Sequence, residues 1–126
     1  MKLSTLFTIN AIVAFLFGLT FVLVPGTAMS FYGITLSLGG IIVAQLFGAS
    51  LLGYAVLTWS ARNAGESEAR NAIVLAMVLS ETIGFIVALL GQLSGAVNGL
   101  GWSTVLIYLV LALGFGYFQF MKPSTS

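Results

Sequence analysis

From Leu3 to Ala61 the chain carries no Asp, Glu, Lys or Arg, and from Thr82 to Met121 it again carries none. A spanning helix needs about 20 apolar residues at 1.5 Å rise per residue, so these runs have to be divided by turn signals. Pro25-Gly26 ends the first segment, because proline removes a backbone donor and glycine relaxes the backbone. A first helix is therefore predicted over 4–24. The stretch TAMSFYGITLSLGG mixes small polar residues with Phe31 and Tyr32 and reads as an interfacial loop with room for a short helical turn. A second helix follows over 38–60. RNAGESEAR, residues 62–70, is a polar island. Gly65 suits a turn there, and Glu66 and Glu68 fit the first turn of a third helix, where the helix dipole favours anions. That helix is predicted over 66–93, with its apolar part from Asn71 to Gln92. SGAVNGLG, residues 94–101, is a short uncharged turn, a fourth helix covers 102–121, and KPSTS is a polar tail with Pro123 as a stop.

Composition settles the solvent. Of 126 residues, 60% are hydrophobic and 6% charged, with mean hydropathy +1.14. A water-soluble domain has about 25% charged residues, and seven charges cannot clothe a surface of this size. The expectation is an all-α integral membrane four-helix bundle, a single transmembrane domain. The first apolar run is longer than the 7–15 residues of a signal peptide's core, so it is expected to span the membrane. The chain has no Cys and no His, which removes disulfides, thiol nucleophiles, imidazole bases and the usual zinc and haem ligands. Neither a cofactor nor a metal is expected. A net charge of +1 without a basic patch makes nucleic acid an improbable partner.

Threading follows from the cations. Lys2 precedes the first helix, Arg62 and Arg70 lie between the second and third, and Lys122 follows the fourth. All four fall on one side, so the positive-inside rule predicts cytoplasmic termini and a cytoplasmic central loop, as a multi-pass protein of the plasma (inner) membrane. Trp59, Tyr117, Phe118 and Phe120 are expected as anchors at the inner interface, and Tyr32 and Trp102 at the outer one. An internal repeat is suggested at an offset of 61 residues: NAIV recurs at 10–13 and 71–74, and Gly40, Phe47, Gly53 and Trp59 fall on Gly101, Tyr108, Gly114 and Phe120. This would make 1–61 and 62–122 tandem hairpins, although a chain so rich in Ala, Gly, Leu and Val also matches itself by chance. Small residues four apart permit close helix approach, and the pairs are Ala14/Gly18, Ala44/Gly48, Ala49/Gly53, Ser80/Gly84, Gly84/Ala88 and Ala112/Gly116.

Glu81, in LSETIG, is the chemical anomaly. It lies about ten residues, or ~14 Å, into the apolar part of the third helix, near the midplane of a ~30 Å hydrocarbon core. A charge there costs roughly 2.5–3.5 kcal/mol, whereas about a dozen Leu, Ile, Phe and Val contribute some 5 kcal/mol, so the helix inserts. No Lys or Arg lies at that depth. A protonated carboxyl is therefore expected, donating a hydrogen bond to a neighbour. Depth offers Ser50 and Tyr108 as partners, with Gln45 slightly further out and Asn10 slightly further in. Glu81, Gln45, Ser50, Tyr108 and Asn10 together form the candidate intramembrane polar site. Such an acid can be a structural strut, a proton or cation site, or a contact for a subunit, lipid, pigment or quinone.

The stretches NAIVAFLFGLTFVLVPG, AQLFGASLLGYAVLTWSARN and LALGFGYFQF resemble small bacterial four-helix membrane proteins of the DoxX-like and DUF4345-like kind. That resemblance implies a four-helix architecture and no catalytic residues. The chain is also similar in size and in its lone intramembrane acid to the small multidrug-resistance transporters. It departs from them because their acid sits in the first helix and their charge bias is weak. The expected function is a non-catalytic accessory or structural subunit that packs in the lipid bilayer against partner membrane proteins or its own copies. The alternative is a small proton-coupled transporter using Glu81. An enzyme is not expected, since acid–base work usually wants two tuned groups and one acid lies in the membrane.

Overall fold

The computed structural model describes residues 1–121; Lys122 and the KPSTS tail lie outside the described residues. Those residues are helical throughout, apart from turns and connections. The helices are α1 (Leu3–Leu23), α2 (Pro25–Ser30), α3 (Leu38–Ala61), α4 (Glu68–Leu93) and α5 (Gly101–Gly116), the last continuing as a π-helical turn over Tyr117–Met121. Four segments are long and apolar enough to cross a membrane: α1, α3, α4, and α5 with its π turn.

Local chemistry explains the boundaries. Pro25 stops α1 and opens α2 at its first position, where its missing N–H costs nothing. The connection expected as a loop thus begins with six helical residues. Ser37 caps α3 by accepting from the Gly40 amide at 3.0 Å. Ser67 caps α4 by accepting from the Arg70 amide at 3.1 Å. Glu66 consequently lies before the cap, and only Glu68 of the two acids expected there occupies the first turn.

The helices alternate in direction and pack as two hairpins. α1 lies along α3, and α4 along α5. In the first hairpin the backbones nearly touch: a Cβ added at Gly18 would meet the Gly48 carbonyl oxygen at 2.9 Å, and one at Gly48 would meet the Gly18 oxygen at 2.8 Å. In the second, a Cβ on Gly84 would overlap the Tyr108 ring. The hairpins join at the end carrying Lys2, Arg62 and Arg70. There Leu6 and Phe7 of α1, Ala61 of α3, Val74 and Met77 of α4, and Leu111 and Phe115 of α5 form a buried apolar core. Phe118 belongs to this core at 6% exposure, so it is an internal packing residue and not the interfacial anchor expected of it. Trp59 is exposed, with the Arg62 guanidinium 3.8 Å above its ring.

Candidate functional site

At the opposite end the two hairpins are held together by a polar clasp. Asn98, in the connection between α4 and α5, donates its backbone N–H to the Tyr32 carbonyl and its side-chain amide to the Phe31 carbonyl, both at 3.0 Å. Its side-chain oxygen accepts from the Leu100 amide at 3.1 Å. Gly33 turns beneath it with φ +78°, a conformation that favours glycine. Gln92 braces the same connection by donating to the Asn98 carbonyl at 3.0 Å. Thr104 donates to the Tyr32 hydroxyl at 3.4 Å. Tyr32, expected as an outer-interface anchor, is therefore turned inward.

Between clasp and core the hairpins line a half-open cavity of about 620 Å³, with Val43 and Phe47 of its wall partly exposed to the outside. α3 and α5, with the connections that lead into them, face it in matching register: Leu36, Gly40, Val43 and Phe47 line one wall, and Val97, Gly101, Thr104 and Tyr108 line the other at the 61-residue offset. Phe17 and Phe21 of α1 add to the first wall, with Phe21 and Phe47 in ring contact at 5.5 Å. The remaining wall is α4, which contributes Ser80, Glu81 and Ala88.

Glu81 is 8% exposed and lines the cavity. Among the described residues its carboxyl has no hydrogen-bond partner, yet its oxygens are not among the fully enclosed unpaired atoms, so they open onto the cavity. The direct strut expected from the sequence is absent. Tyr108 lies close enough to both Glu81 and Tyr54 to interact with them electrostatically, and all three line the cavity.

The other expected site residues divide. Asn10 lines the cavity floor and is 3% exposed. Its amide donates to the Thr58 hydroxyl at 3.3 Å and approaches the Met77 sulfur at 3.9 Å, linking α1, α3 and α4. Gln45 turns away from the cavity and donates to the Val22 carbonyl at 3.1 Å. Ser50 donates back to the Leu46 carbonyl of its own helix at 3.2 Å. Neither lines the cavity. Tyr54, Thr104, Tyr32 and Gln92 do line it and were not part of the expected polar site. Their signal was available as helical spacing, since Phe47, Leu51 and Tyr54 recur at intervals of four and three on one face.

Fold and cavity together define the class: a multi-pass helical membrane protein with a chamber between two hairpins. No family model, curated protein or solved structure matches the chain.

Proposed function

We propose that this protein is a non-catalytic membrane protein that holds a small molecule with an apolar body in the chamber between its hairpins. The observation that carries this reading is the cavity itself. Ligand sites run from about 300 to 1,000 Å³ and combine apolar walls with a few convergent polar groups. Here the walls are Phe, Leu, Val and Ala, and the convergent groups are Glu81, Tyr54, Tyr108 and Asn10. A subunit that served only to pack against partners would gain from a filled interior, which is why the chamber favours binding over the accessory role expected from the sequence. The proton-coupled transport reading uses the same carboxyl, but needs a path through the tightly packed core at the charged end.

In this reading the four spanning segments form a bundle with both termini and the central loop in the cytoplasm of a plasma (inner) membrane. Lys2, Arg62 and Arg70 then lie inside by the positive-inside rule. The buried core closes the cytoplasmic end, and the chamber occupies the outer half down to Glu81.

The test is saturable binding of the neutral, polarity-sensitive dye N-phenyl-1-naphthylamine to purified protein. One dye per chain is expected, with binding lost in Ala88→Phe, which fills the chamber from α4. Non-saturable partitioning that is identical in both proteins would overturn the reading.

A further inference from the structure

We infer that the chamber takes an acyl chain of a membrane phospholipid, which enters sideways through a slit along α3. This rests on reading the chamber as a binding site and names its occupant. On the walls given by α1, α4 and α5 the lining residues are buried or half-buried. The exposed ones are Val43, Phe47 and Tyr54, at 37–66%, and all three belong to α3. At intervals of four and seven they form one stripe down a single edge of the helix. That edge is open because α3 packs along α1 and touches α2, with no extended packing against α4 or α5. The two seams between the hairpins differ in the same way. A Cβ on Gly114 of α5 would meet the Leu6 side chain of α1 at 3.0 Å, whereas nothing lies within 4 Å of that point at Gly53 of α3, 61 residues earlier. The α1–α5 seam is shut, and the seam beside α3 gapes.

From Val43 to Tyr54 the slit runs about 16 Å along α3, at 1.5 Å per residue. It lies within a membrane-spanning length of helix, and the hydrocarbon of one leaflet is ~15 Å thick. The two ends of the chamber are closed: Asn98 clasps Phe31 and Tyr32 at one, and the core around Phe7 and Phe115 fills the other. What stands at the slit is therefore lipid chain, aligned with it. An extended chain slips in sideways over its whole length and leaves its headgroup in water at the clasp end. The width fits as well. Spread over the ~21 Å from Gly40 to Tyr54, 620 Å³ gives a cross-section of about 30 Å². A methylene chain, whose carbons approach their neighbours to ~3.5–4.0 Å, touches walls of that separation on all sides. A tail gains no hydrophobic free energy by leaving other tails, so dispersion contacts with Phe17, Phe21, Phe47 and Leu51 hold it. Asn10 and Glu81 lie at the inner end, where polar groups end the apolar surface that a chain can follow.

The experiment places the full-length protein in nanodiscs with two phosphatidylcholine probes, one carrying a diazirine midway along an acyl chain and one carrying it on the headgroup. Photolabel is located residue by residue by mass spectrometry. The chain probe is expected to label Ala88 and Thr104 inside the chamber. Excess N-phenyl-1-naphthylamine should abolish that label and leave Leu79 and Val87, on the lipid-facing side of α4, labelled as before. The headgroup probe should label neither Ala88 nor Thr104. A phospholipid does not leave the bilayer, so interior label from the chain probe itself establishes the sideways route. Ala88→Phe should lose the label at Thr104, and the dye competition on the wild type decides the matter even where that variant fails to fold. If the chain probe leaves the interior unlabelled while the dye still binds saturably, the lipid assignment is overturned although the chamber stands. The assignment is equally overturned if the headgroup probe labels the interior, or if saturably bound dye leaves the interior label untouched. If neither probe nor dye enters, the chamber reading itself falls.

Discussion

Replacing Gly18 by alanine isolates the contact on which the first hairpin depends. The new Cβ would lie 2.9 Å from the Gly48 carbonyl oxygen and 3.0 Å from both the Leu52 Cγ and the Leu52 backbone nitrogen. Ordinary contact begins near 3.4 Å, so α1 and α3 must part by about 0.5 Å. Two of the three obstructing atoms belong to backbone, which cannot rotate away. A gap of 0.5–1 Å forfeits roughly a quarter to a half of each dispersion contact along the crossing, and forcing a methyl into a packed interior costs about 1–3 kcal/mol. Gly18→Ala should therefore destabilise the protein by that amount, and Gly48→Ala should do the same. Gly53→Ala is the internal control, because nothing lies within 4 Å of the point its new methyl would occupy. There alanine's better helix propensity leaves stability unchanged or raises it by up to ~1 kcal/mol. Reversible unfolding in mixed micelles, followed by circular dichroism, measures all three. If Gly18→Ala proves as benign as Gly53→Ala, the close crossing of α1 and α3 is wrong.

Three further outcomes follow from named contacts. Asn10→Ala should cost about 0.6–1.7 kcal/mol in the same assay, the range for interhelical hydrogen bonds in membranes, and a double-mutant cycle with Thr58→Val should recover most of it as coupling. Ser67→Ala removes the α4 cap and should cost about 0.5–2 kcal/mol, with faster amide exchange confined to the first turn after residue 67. Asn98→Ala removes the side-chain half of the clasp, and stopped-flow release of the naphthylamine dye should accelerate while the capacity of one dye per chain is kept.

The spanning segments were legible because they depend on coarse signals. Charge-free runs, Pro25-Gly26 and the island at 62–70 divide the chain much as the helices do. Among the small-residue pairs, Gly18, Gly48 and Gly84 sit at real close approaches, whereas nothing lies near Gly53 or Gly116. Spacing allows a contact, but which face meets a neighbour decides it. The same distinction separates the site residues. Depth along the helix placed Ser50 near Glu81 and Gln45 slightly further out, yet depth carries no rotation. Gln45 lies about 160° around α3 from the chamber-lining Phe47, at 100° per residue, and reaches Val22 instead. The N-terminal end of α4 was misjudged for a related reason: a serine oxygen that accepts the Arg70 amide sets the start, whereas two nearby acids only favour it. The chamber was invisible in the sequence because it is a gap between two hairpins, set by where they join at Phe7 and Phe115 and where Asn98 clasps Phe31 and Tyr32.

The chamber is tested most directly by photolabelling in lipid nanodiscs with a small apolar diazirine, read out residue by residue by mass spectrometry. On α4, saturable label is expected at Ser80, Glu81 and Ala88, which line the cavity, and the excess neutral dye should compete it away. Leu79, Val87 and Leu90, which face outward at 62–64% exposure, should take only label that the dye does not displace. Equal labelling of both faces, untouched by dye, would contradict a ligand-holding chamber between the hairpins.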